Sequence, residues 1–147
     1  MLLNHTEVDS VRIILADDHA SVRSGIRKLL EYEPEITVIA EAKDGKEALR
    51  LAQQLDPDIL LLDIEMPLMT GIEVARRLKE VESTIRILAI SSHRDNEYVK
   101  KMFETGVAGY LAKDEAADLL VKAIMQVWHG ETGWFSNRIR TGQAEHG

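Results

Sequence analysis

The chain has 147 residues, 45% hydrophobic and 29% charged, which is enough apolar material for one packed domain and too much for a disordered chain. Its net charge of −7, from 25 acidic and 18 basic residues, argues against direct nucleic acid binding, which needs clustered Lys and Arg. It has no cysteine, which rules out disulfides, zinc-thiolate sites and thiol nucleophiles and fits a cytoplasmic protein, and no apolar run nears the roughly 20 residues of a membrane span.

Residues 1–10 are polar and mixed, unlike a signal peptide, and read as a tail. Val11–Ala16 is an apolar run of strand length that ends in Asp17-Asp18, and a helical pattern follows over 20–32. A second strand is predicted over 36–40. The helix over 45–55 opens on Asp44-Gly45-Lys46-Glu47, a capping box, and Pro57 closes it. A third strand over 59–62 ends in Asp63, with Met66-Pro67 and Gly71 beyond it. Thr70-Gly71-Ile72-Glu73 is a second capping box, opening a helix over 71–81. A fourth strand over 85–90 ends in Ser91-Ser92, and the helix over 96–105 stops at Gly106. A fifth strand over 108–112 ends in Lys113, and Asp114 is a candidate cap for a helix over 115–129. Residues 131–147 read as a tail or a truncated linker.

The strands are rich in Ile, Leu and Val without polar alternation, as expected when both faces are buried. Five βα units in about 120 residues imply a doubly wound, five-stranded parallel sheet with helices on both faces. All strand C-termini then lie on one edge, where such folds place their sites. Taken singly, the polar strand ends are ordinary: an Asp after a strand often caps the next helix, a Lys is usually solvated, and a Ser can bond nearby backbone. Taken together, three carboxylates, a hydroxyl and an ammonium suit an oxygen-loving divalent cation and a phosphoryl group.

These residues resemble the receiver domain of two-component response regulators over nearly all of 11–130. The resemblance rests on Asp17-Asp18, on Asp63 with Met66-Pro67 and Gly71, on Ser91, and on Gly109-Tyr110-Leu111-Ala112-Lys113. The spacings agree too: 45 residues from Asp18 to Asp63, 28 to Ser91 and 22 to Lys113. Asp17-Asp18-His19, and Lys113 followed by Asp114 rather than Pro, are most similar to the subfamily that usually carries a C-terminal LuxR-type helix-turn-helix. No such unit fits after Phe135, so the chain is either a stand-alone receiver or the receiver part of a longer regulator.

The resemblance implies a flavodoxin-like fold and the following roles. Asp63 accepts a phosphoryl group from a phosphohistidine on a sensor histidine kinase. Asp18 and Asp63 hold Mg²⁺ with the backbone carbonyl of Glu65, and Asp17 acts through water. Lys113 pairs with the phosphoryl oxygens, Ser91 binds one of them, and Tyr110 reorients as it does so. The side chains of Glu65 and His93 tune access of water to the acyl phosphate, unless they are merely solvated. Chemistry is then limited to self-phosphorylation and slow self-dephosphorylation, without turnover as an enzyme. A second reading is a metal-dependent phosphohydrolase acting through an aspartyl phosphate, but that class expects a second Asp where Glu65 stands and Thr or Val rather than Met66-Pro67.

On the fifth helix, Leu119, Leu120, Ala123, Ile124 and Val127 form one apolar face, and Val121, Met125 and Trp128 widen the arc to roughly 240°. A helix packing on its sheet needs only about 100°. Either the tail, with Trp134 and Phe135, covers the excess or it is a partner surface, with a homodimer the simplest partner.

Overall fold

The structure, a computed structural model, describes residues 10–92, 96–130 and 134–135. Strands β1 (Val11–Ala16), β2 (Ile36–Ala42), β3 (Ile59–Asp63), β4 (Arg86–Ser91) and β5 (Gly109–Ala112) alternate with helices α1 (Ala20–Glu31), α2 (Gly45–Leu55), α3 (Gly71–Glu80), α4 (Asn96–Glu104) and α5 (Ala116–Trp128). All strands pair in parallel in the order β2-β1-β3-β4-β5, the doubly wound arrangement expected. Trp134–Phe135, assigned to the tail by sequence, adds a two-residue strand, β6, parallel to β5.

Alternation along the strands feeds two cores. Ile14, Ala16, Leu60 and Leu62 point to one face, beneath α2, α3 and α4. Val11, Ile13, Leu15, Ile59 and Leu61 point to the other, beneath α1 and α5. β3 is buried at all five positions, so neither face shows a polar residue until Asp63 ends the strand. That burial is why the sequence reads as an unbroken apolar run.

Both predicted N-caps form, without the reciprocal half of a capping box: Glu47 Oε1 accepts from the Lys43 amide at 2.9 Å rather than from Asp44. The Asp44 carboxylate accepts from the Glu47 amide at 2.8 Å, and Thr70 Oγ1 accepts from the Glu73 amide at 3.3 Å. Gly106, at φ 88°, closes α4, donating to the Phe103 carbonyl. The α5 start differs from expectation. Lys113–Glu115 form a 3₁₀ turn and Glu115, not Asp114, occupies the cap position, with no side-chain cap bond. The tighter turn keeps Lys113 against the sheet edge.

Strand β2 runs two residues beyond the predicted end, to Ala42. The β1–β2 register slips between Ile13 and Ile14, passing over Ile39. Glu41 therefore sits inside a strand, half-buried, one residue beyond the predicted end. Its carboxylate is paired with Arg23 and Arg27 of α1, a partnership no local pattern encodes.

On α5, Val121, Met125 and Trp128 are half-buried against the second core. Much of the wide apolar arc is therefore used by the domain itself, and β6 lies beside the helix. The side chains of Trp134 and Phe135, expected as a cover, lie outside what the structure describes. Among the described residues the exposed large apolar side chains are Tyr32, Leu68 and Val81, none on α5.

Candidate phosphoryl-acceptor site

β1 and β3 are neighbours whose following helices leave on opposite faces, which opens a crevice at their C-terminal ends. The register pairs Ala16 with Leu62, so Asp17 stands beside Asp63. On the other side, Asp63 pairs with Ile90 and Ser91 with Ala112, so Ser91 and then Lys113 follow along the same edge. Strand order thus gathers residues up to 96 positions apart in sequence (17 to 113).

Lys113 Nζ sits 3.3 Å from Asp63 Oδ2 and 3.3 Å from Asp17 Oδ2, joining the two carboxylates. The Glu65 amide donates to Asp63 Oδ1 at 3.1 Å. Both oxygens of Asp63 are held, so its carboxylate cannot spin. Asp17 and Asp63 are each 2% exposed. Burial raises the Asp63 pKa above its ordinary value, and the negative charge of Asp17 adds to this; the Glu65 amide and Lys113 oppose it without cancelling it. For Lys113, burial acts to lower the pKa, but Asp63 and Asp17 outweigh it and the net shift is upward, so the ammonium stays charged.

Neither Asp17 nor Asp18 caps α1. His19 takes the cap position with no side-chain cap bond, and Asp17 Oδ1 instead accepts from the His19 amide at 2.8 Å. Asp18 Oδ1 is buried and accepts no hydrogen bond, although His19 Nδ1 lies 3.1 Å away. An orphaned carboxylate oxygen is expensive unless something positive faces it. Ligand atoms of Asp17, Asp18, His19 and Asp63 lie within 4.8 Å of one another. The hard oxygens in that set fit a divalent cation such as Mg²⁺ or Ca²⁺.

Asp17, Asp18, Asp63 and Lys113 are therefore brought together as expected. Ser91 is fully buried at the end of β4, and Tyr110 is fully buried in the first core with Val99 and Met102. Gly71 allows the loop after β3 to close. Its amide donates to the Ile64 carbonyl at 3.1 Å, and a Cβ there would fall 2.5 Å from Ile64 Cα. His93 lies outside the described residues. Sequence reasoning missed His19 as a neighbour of both acidic side chains, although it directly follows them. It also missed Ser92, whose hydroxyl donates to Glu65 Oε1 at 2.9 Å and ties two loops of the site together.

Known proteins share this fold. Residues 13–125 match the response regulator receiver domain family. The chain is 37% identical over 122 residues to the transcriptional regulatory protein DegU of Brevibacillus brevis, covering 83% of this chain and 52% of that protein. It is 40% identical over 119 residues to the nitrate/nitrite response regulator protein NarL of Escherichia coli K12, covering 81% and 55% respectively. The chain thus spans about half the length of the curated relatives it matches. A LuxR-family two-component response regulator from Aurantimonas sp. SI85-9A1 superposes with a TM-score of 0.88 at 37% identity, covering 93% of this chain and 97% of that one. The subfamily suggested by Asp17-Asp18-His19 is the one these relatives represent. A crevice built from strand ends of a 2-1-3-4-5 sheet, and a family match over most of its length, lead to one conclusion: this chain belongs to the response regulator receiver domain family of two-component systems.

Proposed function

We propose that the chain is a phospho-accepting switch in which Asp63 takes a phosphoryl group from a phosphohistidine of a sensor histidine kinase. The observation that carries this reading is the buried Asp63 carboxylate held between Lys113 and the Glu65 amide, beside the orphaned oxygen of Asp18. In the transfer, an Asp63 oxygen bonds to phosphorus as the nitrogen–phosphorus bond breaks, and the imidazole leaves with a proton. Positioning and charge carry most of this chemistry, because the transferring group spreads its charge over its equatorial oxygens. Lys113 already lies against Asp63 and moves to the phosphoryl oxygens once they arrive. Asp18, Asp63 and the Glu65 carbonyl would hold Mg²⁺, with Asp17 acting through water. When bound, the ion neutralises phosphoryl charge.

Ser91 then donates its hydroxyl to a phosphoryl oxygen, and Tyr110 changes orientation. Moving a two-state surface from 1:99 to 99:1 takes about 5.5 kcal/mol. Charge-assisted hydrogen bonds from Ser91 and Lys113, about 1.5–3 kcal/mol each, are of that order if they form only in the phosphorylated state. The output is a changed α4-β5-α5 surface, used for partner docking or a homodimer, with Val121, Met125 and Trp128 as contacts. Residues 11–130 form the receiver in this reading, with 1–10 a tail and 131–147 a tail or linker. The setting is cytoplasmic, and transcription is the regulated process if a DNA-binding unit accompanies the receiver. No helix among the described residues is long and apolar enough to cross a membrane.

Intact-mass measurement after acetyl phosphate with Mg²⁺ tests the chemistry. One added phosphoryl group is expected, absent with EDTA; steady turnover of a small phosphoester would instead favour the phosphohydrolase. Sedimentation velocity with and without beryllofluoride tests the output, with Met125→Glu as control. Equal monomer in both states, with no partner binding dependent on Met125, would remove α5 as the output surface.

A further inference from the structure

Arg23 of α1 is 18% exposed in its side chain, an unusual placement for arginine. Its Nη1 donates to the Asp17 backbone carbonyl at 2.6 Å. Its Nε donates to Glu41 Oε1 at 3.0 Å, while Arg27 Nη1 lies 3.2 Å from the other Glu41 oxygen. On the amide side of the same residue, Asp17 N donates to the Ala42 carbonyl at 3.0 Å. The end of β2 therefore grips Asp17 at both ends, directly through Ala42 and by way of Arg23 through Glu41.

The Asp17 carbonyl belongs to the peptide plane that leads into Asp18. Fixing that plane fixes the Asp18 N–Cα bond and so restricts the directions in which the Asp18 side chain can leave the chain. Asp18 needs such help. Its side chain is 28% exposed, against 3% for Asp17, and its buried oxygen accepts no hydrogen bond that could aim it, because His19 Nδ1, 3.1 Å away, is hydrogen-bonded to Asp17 Oδ1 instead. A guanidinium suits the task because its rigid fork serves two acceptors at once.

We infer that Arg23, oriented by Glu41, is a positioning residue that aims Asp18 into the cation site. This rests on the Mg²⁺ reading of that site. The sign of the effect separates aiming from charge. Arg23 carries a positive charge near a cation site, so by Coulomb's law alone its removal should tighten cation binding. Loss of aim should weaken it, and loss of an outer partner of a metal ligand typically lowers affinity about 10–100-fold.

The experiment is isothermal titration of the whole chain with Mg²⁺ alone, for wild type, Arg23→Met and Arg23→Lys. Arg23→Met keeps the apolar stem and removes the charge and both donors. Arg23→Lys keeps the charge but cannot serve both acceptors with a planar fork, so it decides the matter even if Arg23→Met does not fold. Weaker binding, about 10–100-fold for Arg23→Met and by a smaller factor for Arg23→Lys, is expected. Binding that is unchanged or tighter in the folded variants overturns the inference and leaves the Mg²⁺ site intact. A wild type that binds no Mg²⁺ overturns both.

Discussion

At the C-terminal edge of the sheet, Asp17 and Asp63 flank a single ammonium with Asp18 close to both carboxylates, and one buried oxygen of Asp18 accepts no hydrogen bond. At the opposite edge the charges are reversed and matched. Arg12, on β1, donates to the Asp56 and Leu55 carbonyls at 2.9 and 3.0 Å, closing α2. Arg86, on β4, donates to the Val127 and Trp128 carbonyls at 3.0 and 2.7 Å, closing α5. Lys79 reaches from α3 to the Glu104 carbonyl at 2.8 Å, closing α4. These last-turn carbonyls have no partner within their helices, and cations are favoured at helix C-termini. One edge stabilises the fold. The other keeps like charges together at a cost in stability, as the proposed binding of a cation and a phosphoryl group would require.

Neutralising one residue at each edge should have opposite consequences. The largest effect is expected on chemistry. Asp63→Asn should abolish labelling by acetyl phosphate, whereas Arg86→Ala should be labelled like the wild type; intact mass reads both. Labelling of Asp63→Asn at wild-type efficiency would remove the distinction between the edges.

Next in size is the response to metal. Mg²⁺ at about 100 times its Kd should raise the unfolding free energy of the wild type by about 2.7 kcal/mol. Asp18→Asn should lose most of this and Arg12→Ala none, as followed by denaturant titration with and without EDTA.

In the absence of metal the sign reverses. Asp63→Asn should be more stable than the wild type by about 0.5–2 kcal/mol, the range common to single stabilising substitutions, because the buried charge is removed. Burial raises the Asp63 pKa, so ionisation of Asp63 opposes folding above that raised value and has no effect below the ordinary carboxylate pKa of about 4. The advantage of the variant should therefore shrink as pH falls through that window. An advantage that grows on acidification would contradict the assigned burial.

The smallest effect belongs to the opposite edge. Arg12→Ala and Arg86→Ala should each lose about 0.5–1.5 kcal/mol, at the low end because both side chains are largely exposed. A gain from either would mean that these caps do not hold their helices.

Much of this molecule was legible from residue order alone. Period and run length marked five strands and five helices, because strands buried on both faces must be apolar at every position. Asp44 and Thr70 declared their helix starts, because capping is a contact within four residues. The polar strand ends were legible as a set because a parallel sheet places every C-terminus on one edge. Contacts between distant segments were not legible. The predicted second strand stopped at residue 40, short of Glu41, whose charge is matched in the fold by Arg23 and Arg27 of α1. The Asp114 cap yielded to a 3₁₀ turn, and Val121, Met125 and Trp128 proved half-buried against the second core. The sequence by itself determined which polar groups end the strands and that they share an edge, since periodicity and strand ends are local properties. Only the tertiary structure decided that Lys113 bridges Asp17 and Asp63, that one oxygen of Asp18 accepts no hydrogen bond, and that Arg23 grips the turn between them. Those facts depend on distances between segments that sequence order leaves open, and packing against a shared sheet closes them.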